Sequence, residues 1–108
     1  MLKVTGSQEG GWIGQFPEGT VGGQWRWDLM GPTPQTLLKD DGGPAEFLVD
    51  ESVEANRGEY TLSVQRLDAN GQGLGDNQVS ASFLIDVKPP AFVNIEVAGP
   101  VTVTVAQA

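Results

Sequence analysis

The sequence predicts an all-β protein, specifically an antiparallel β-sandwich, and three observations support this prediction. In several segments apolar and polar residues alternate with a period of two, which is typical of half-buried strands. The chain contains 15 glycines and 7 prolines, which favours a turn-rich fold over a helical one. Its 108 residues suit one core, so we expect residues 1–88 to form the sandwich and residues 89–108 a C-terminal β-arm.

The first half of the chain predicts three short strands. From the alternation of side chains, these strands cover residues 2–5, 24–30 and 45–50. A glycine-rich loop at 6–23 joins the first two strands, and residues 51–57 form at most a helical turn. The apolar face of the second strand carries Trp25, Trp27 and Leu29.

The second half of the chain predicts a β-hairpin over residues 60–87. Residues 60–65 and 79–87 alternate between apolar and polar side chains. Between them, residues 68–77 are dense in Gly, Asn and Asp, which tolerate the backbone angles of turns. The hairpin is therefore expected to have a long loop. The alternation breaks at Arg66 and Leu67, which predicts a β-bulge there.

The C-terminal arm carries the main functional hypothesis. After Pro89 and Pro90, apolar residues alternate on both sides of a turn at 98–100. A hairpin of this size cannot bury two apolar faces by itself, so the arm either completes its own sandwich or adds strands to a neighbouring subunit. Both alternatives stay open. The residues that would carry assembly are Val93, Ile95, Val97, Val101, Val103 and Val105.

Composition excludes much of enzyme chemistry. The chain has no histidine and no cysteine, so it cannot form a Ser-His-Asp or Cys-His catalytic unit or an ordinary zinc site. We therefore expect a non-enzymatic protein without a cofactor. The absence of cysteine is compatible with either side of a membrane.

The charge balance restricts the partners. Fourteen acidic and six basic residues give a net charge of −8, which repels nucleic-acid phosphates and anionic membrane surfaces. No apolar stretch approaches the roughly 18 residues that a spanning helix needs. Residues 1–6 also lack the apolar region of a signal peptide. We expect a soluble protein with no nucleic-acid partner and no membrane insertion.

Segments 58–71 and 82–85 together resemble the last two strands of immunoglobulin-like and fibronectin type III-like modules. The first segment opens with Gly-Glu-Tyr at 58–60 and ends with Asp-Ala-Asn-Gly at 68–71, and Ser-Phe-Leu-Ile follows at 82–85. The resemblance implies that Tyr60 is the corner tyrosine and that Trp25 or Trp27 is the core tryptophan. The missing disulfide places the chain nearer the fibronectin type III-like side.

A second resemblance concerns overall character. A small, acidic, cysteine-free module with a valine- and threonine-rich arm is similar to small structural proteins of tailed bacteriophages. This resemblance implies a capsid decoration or tail component located in the virion. Its partners would be other protein subunits, in a homo-oligomer or a larger assembly.

The alternative function is a carbohydrate-binding or adhesion module. Sugars stack on exposed aromatic rings, and neighbouring amides and carboxylates can bind their hydroxyl groups. Trp12, in the glycine-rich loop near Ile13 and Phe16, is the tryptophan expected to be exposed. With Gln24 and Asp28 it would form a site for a surface glycan.

Two acidic patterns in the sequence resemble known kinds of site. Asp68, Asn70 and Asp76 have spacings like the start of a calcium loop, but Val79 stands where a bidentate Glu would close it. We therefore predict an ordinary hairpin loop and no metal. The carboxylate pairs at 40–41 and 50–51 could suggest a glycosidase, but solvated turn charges explain them better.

Overall fold

The computed structural model describes residues 1–8, 21–85, 93–96 and 101–107, and these residues form eight strands. In order, the strands are β1 (Leu2–Gln8), β2 (Gly22–Met30), β3 (Gln35–Lys39), β4 (Ala45–Val49), β5 (Gly58–Asp68), β6 (Gly73–Ile85), β7 (Val93–Glu96) and β8 (Val101–Gln107). A 3-10 turn, Glu54–Asn56, precedes β5. The predictions for Trp12, Ile13, Phe16, Val97 and the prolines at 89–90 lie outside the described residues.

The strands form two antiparallel sheets of four strands each, which confirms the predicted all-β sandwich. The strand order is β4-β1-β8-β7 in the first sheet and β3-β2-β5-β6 in the second. One core cluster of apolar side chains draws on both sheets. The fold therefore exists because each sheet has one apolar face to bury.

Strand β4 illustrates how alternation becomes burial. Ala45, Phe47 and Val49 are buried, whereas Glu46 and Leu48 on the opposite face are exposed. Burying one large apolar side chain contributes about 1.5–3 kcal/mol. The same pattern in the other strands adds to the core Leu2, Val4, Trp27, Leu29, Tyr60, Leu62, Val64, Ala81, Phe83, Ile85, Val101, Val103 and Val105.

The two sheets pack closely at Gly6 in β1. A Cβ atom built there would lie 2.4 Å from Cδ2 of Leu62 and 2.7 Å from Cζ3 of Trp27. Both distances are shorter than any real contact of a Cβ atom. The lack of a side chain at Gly6 therefore allows β1 to pack against the side chains of β2 and β5.

The hairpin of β5 and β6 confirms one prediction and corrects another. The pairing register shifts between Gln65 and Leu67, which confirms the predicted bulge. The predicted long loop at 68–77 is wrong, because the strands extend to Asp68 and from Gly73. A short turn closes the hairpin, with Gly71 at a positive φ of 82° and the Asp68 carboxylate bound to turn amides.

Two further differences lie in the first half of the chain. The predicted strand 2–5 extends to Gln8, and β2 already begins at Gly22, so the predicted loop 6–23 is shorter at both ends. Strand β3 was not predicted. Its adjacent Leu37 and Leu38 do not alternate with polar residues, and its strand character depends on pairing with β2 from Trp25↔Lys39 to Leu29↔Gln35.

The C-terminal strands form an antiparallel pair in which β8 lies between β1 and β7. Strand β8 pairs with β1 of its own chain from Leu2↔Gln107 to Gln8↔Val101. Strand β7 pairs with β8 from Val93↔Val105 to Glu96↔Thr102 and forms the edge of the first sheet. The side chains of Val101, Val103 and Val105 are buried in the core. Most of the arm's described length therefore contributes to the home sandwich.

Candidate functional site

Asp28, a residue of the glycan hypothesis, lies in a network across three strands of the second sheet. Its Oδ1 accepts a hydrogen bond of 2.7 Å from Thr36 Oγ1 on β3, and its Oδ2 accepts one of 3.1 Å from Arg26 Nε. Arg26 Nη2 in turn donates to Gln65 Oε1 on β5 at 3.3 Å. Both Asp28 oxygens are thus engaged, and the network ties β3, β2 and β5 together.

Gln24, the second polar residue of that hypothesis, is also engaged. Its Nε2 donates a 2.8 Å hydrogen bond to Oδ1 of Asp40, which follows β3. Trp12, the proposed stacking residue, lies outside the described residues. The described contacts of Gln24 and Asp28 stabilise the sheet and give no support to a sugar site.

The two tryptophans of β2 have different surroundings. Trp27 is fully buried in the core, whereas Trp25 is partly buried at its margin. The guanidinium carbon of Arg66 lies 3.7 Å from the centre of the Trp25 ring, and Arg66 Nε donates to the Gly23 carbonyl at 2.9 Å. Arg66 therefore covers one face of Trp25 in a cation–π contact. Sequence reasoning missed this contact, because it depends on the pairing Trp25↔Arg66 between β2 and β5.

Burial changes the proton affinity of Arg66. Removal of its guanidinium from water lowers the pKa below its ordinary value. The Trp25 ring and the Gly23 carbonyl replace part of the lost hydration. The arrangement is that of a packed structural arginine.

Asp68, the first residue of the weak calcium pattern, stabilises the β5–β6 turn. Its Oδ1 accepts backbone hydrogen bonds from Asn70 at 2.8 Å and from Gln72 at 3.0 Å. Asp76 lies in strand β6 rather than in a loop. Among the described residues, no three acidic side chains come together in a way that could hold a metal ion. The sequence pattern here corresponds to turn formation.

Three of the four paired carboxylates, Asp40, Asp41 and Asp50, accept hydrogen bonds at the protein surface. Asp40 accepts from Gln24, and Asp41 Oδ1 accepts from the Gly43 amide at 2.8 Å. Hydrogen bonds from the side chain and the backbone of Ser52 lower the pKa of Asp50. These contacts fit the expected turn charges.

Glu51 is the exception to the expectation of solvated charges. Its side chain is only 1% exposed, and its Oε1 lies 3.0 Å from the Met1 nitrogen. Strand β4 pairs with β1 at Leu2↔Val49, and this pairing brings the residues beyond each strand together. The burial of Glu51 thus follows from tertiary structure, and local sequence carries no signal for it.

Tyr60, the predicted corner tyrosine, is fully buried at the start of β5. Its hydroxyl donates a hydrogen bond to the backbone carbonyl of Asn56, four residues earlier. Its ring stacks on Phe83 of β6, with centroids 5.8 Å apart and an interplanar angle of 15°. Burial raises the pKa of the phenol, although a hydrogen bond with the Thr33 backbone acts in the opposite direction.

The described strands leave four sheet edges as surfaces for interaction. Strands β4 and β7 border the first sheet, and β3 and β6 border the second. Each edge strand in such a sheet has backbone amide and carbonyl groups on one side that no strand of the sheet engages. These edges are the candidate functional surfaces of the protein.

Comparisons with known proteins give no assignment, because no family model, no curated protein and no solved structure matches the chain. In the part of the chain that the structure describes, no helix is both long and apolar enough to cross a membrane. The function must therefore be argued from the residues, the contacts and the strand edges.

Proposed function

We propose that this protein is a non-enzymatic structural module that binds other protein subunits through its C-terminal strands. The observation that carries the proposal is the position of β7, Val93–Glu96, at the edge of the first sheet. It is paired with β8 on one side, and no other described strand pairs with it. A neighbouring subunit can add a strand to this edge, with backbone hydrogen bonds providing affinity.

The burial of β8 restricts the assembly proposal to β7. Val101, Val103 and Val105 are part of the core, so they cannot reach a neighbour while the sandwich is folded. Strand β7 has only four residues. So short a strand pairs weakly by itself, and an added strand from a neighbour would stabilise it by enlarging the sheet. The proposed interface is therefore the outer edge of β7.

The nature of the module is part of the proposal. We infer an immunoglobulin-like or fibronectin type III-like sandwich, supported by the hydrogen bond from Tyr60 to Asn56 and by the buried Trp27 on the adjacent strand. Modules of this kind act by binding partners through their surfaces. The absence of histidine and cysteine further supports a binding role over catalysis.

The setting we propose is a tailed-bacteriophage particle, as a capsid decoration or tail component. Its support is the small, acidic, cysteine-free composition together with the valine- and threonine-rich C-terminal strands. The genes on either side test this setting. Neighbours that encode capsid or tail proteins are expected, whereas neighbours from an unrelated metabolic operon would overturn it.

The β7 proposal needs a test that leaves the core intact. Deletion of residues 90–108 would remove three core valines, so it could not separate assembly from folding. We therefore choose Asn94→Lys, which puts a charge on the edge strand at the position paired with Thr104. Asn70→Lys, in the exposed β5–β6 turn, is a control with the same chemical change.

Binding is measured by size-exclusion chromatography of the full chain mixed with each purified product of the adjacent genes. The wild type and Asn70→Lys are expected to form a complex with one of these products. Asn94→Lys is expected to weaken that complex by about tenfold or more while its circular dichroism stays unchanged. Absence of any complex with the wild type, or equal binding by Asn94→Lys, would refute the β7 interface.

A further inference from the structure

The four sheet edges of the described residues differ in how well they are protected against pairing. Three of them are short: β3 and β4 have five residues each, and β7 has four. Lys39 ends β3, Glu46 lies within β4, and Glu96 ends β7. Short length and charge limit indiscriminate pairing at an edge strand, so a short edge such as β7 binds only a partner that supplies further contacts.

Strand β6 is the longest of the four edge strands, and its single charged residue, Asp76, lies near its start. It has 13 residues, and its segment 77–85 contains no charged residue and no proline. It pairs without interruption with β5 from Gly58↔Ile85 to Gln65↔Gln78. On its other side no described strand pairs with it. A long, regular edge with an uncharged segment of this length is a template for another strand.

The side chains along β6 are suited to a dry contact. Ala81, Phe83 and Ile85 are buried towards the core, while Ser80, Ser82 and Leu84 are exposed on the other face. Leu84, like the leucines on the edge strands β3 and β4, is about half exposed (51%). Small serines beside it allow a second strand to approach closely.

We propose that the partner of this edge is a second copy of the chain, whose β6 pairs antiparallel with the first about a two-fold axis at Ser82. An antiparallel edge is self-complementary, so one surface serves both subunits. The chain carries a net charge of −8, and most surfaces of two copies repel each other. Where segment 77–85 of one copy lies against segment 77–85 of the other, no like charges face each other, because the segment has no charged residue.

This pairing joins the second sheet of one copy to the second sheet of the other, and the result is one continuous sheet of eight strands. About the axis, Ser82 lies opposite Ser82, and Ser80 of each copy lies opposite Leu84 of the other. The exposed leucine is thereby partly covered. The dimer goes beyond the β7 interface proposed above, because it uses the edge of the other sheet and a different partner.

The absence of cysteine makes a direct test possible. Residues opposite each other in an antiparallel pair have Cα atoms about 4.5–5.5 Å apart, within the range of a disulfide. Under mild oxidation, full-length Ser82→Cys is expected to form a disulfide-linked dimer. Ala55→Cys, at an exposed position in the 3-10 turn, is the control and is expected to remain monomeric on a denaturing gel.

Sedimentation velocity over a range of concentrations gives the second readout. The wild type is expected to dimerise reversibly. Ser82→Glu opposes two like charges at the axis and is expected to weaken the dimer by about tenfold or more, whereas Ala55→Glu, with the same change in net charge, leaves it intact. Circular dichroism verifies that both variants are folded.

Three results would overturn the β6 dimer: a wild type that is monomeric at every concentration, an unchanged dimer in Ser82→Glu, or equal cross-linking of Ala55→Cys. None of these results bears on β7, which is tested by Asn94→Lys with a different partner. Conversely, a dimer that is lost in Ser82→Glu and kept in Asn94→Lys supports β6 pairing even if no adjacent gene product binds.

Discussion

The hydroxyl of Tyr60 donates a hydrogen bond to the backbone carbonyl of Asn56, across the junction between the two sheets. Asn56 ends the 3-10 turn that leads from β4 in the first sheet to β5 in the second. Its own side chain donates a 3.1 Å hydrogen bond to the Asp50 carbonyl. Tyr60 thus holds together a connection whose ends belong to opposite sides of the sandwich.

Replacing Tyr60 by Phe should keep the packing against Phe83 and remove the hydrogen bonds of the hydroxyl with Asn56 and with the Thr33 backbone. Because the carbonyl of Asn56 then loses its partner, we expect Tyr60→Phe to destabilise the fold by about 1–3 kcal/mol in urea unfolding. Asn70→Ala, an exposed turn substitution, should change stability by less than about 0.5 kcal/mol. Equal stability of Tyr60→Phe and the wild type would show that these hydrogen bonds contribute nothing.

The ionisation of Tyr60 can be followed alone, because it is the single tyrosine of the chain. Burial raises its pKa above the ordinary value of 10.0, so the folded state keeps the phenolic proton where the unfolded state releases it. This contribution to stability is complete below pH 10 and is lost as pH rises through the folded pKa. Tyrosinate absorbance should appear at higher pH in the folded protein than in urea. Coinciding titrations would contradict the prediction.

Substitutions of Asp68 distinguish a role in stabilising the β5–β6 turn from a role in binding a cation. Asparagine retains an oxygen that can accept the amides of Asn70 and Gln72, whereas alanine does not. We therefore expect Asp68→Asn to keep most of the stability and Asp68→Ala to lose about 1–2 kcal/mol in urea unfolding. Calcium should leave the melting temperature of the wild type unchanged. A calcium-dependent rise that Asp68→Asn abolishes would instead establish a cation site.

Two glycines should respond differently to alanine. At Gly6 the new Cβ meets Leu62 and Trp27, and we expect Gly6→Ala to destabilise by about 3 kcal/mol or more. At Gly71, with φ of 82°, no atom lies within 4 Å, so only backbone strain opposes alanine and the cost is about 1–2 kcal/mol. Thermal unfolding ranks the two variants. A larger loss for Gly71→Ala would contradict the described packing.

The glycan hypothesis shows where sequence reasoning reaches its limit. The residue types of Gln24 and Asp28 fit sugar hydroxyls, but their partners Asp40, Thr36 and Arg26 come from strand pairing and turns. Likewise, Arg66 covers Trp25 because β5 pairs with β2, although 41 positions separate the two residues in the sequence. A site built across strands leaves no local spacing that a sequence pattern could detect.

By itself, the sequence determined the class of fold and the burial of most strand faces. Alternation in segments such as 45–49 and 101–105 specifies an apolar face locally, because successive side chains on a strand point to opposite sides. The bulge after Gln65 could also be predicted from the sequence, because the alternation of apolar and polar residues changes phase there.

Only the tertiary structure decided which strands became neighbours. The position of β8 between β1 and β7, the strand character of β3 and the burial of Glu51 depend on partners distant in sequence. Alternation predicts that a strand has an apolar face, but it does not predict which sheet the strand joins. The reason is that hydrophobic burial is not directional, so an apolar face can pack against any other apolar surface. The edges left over from that choice, β7 and β6, are the surfaces on which the proposed assembly depends.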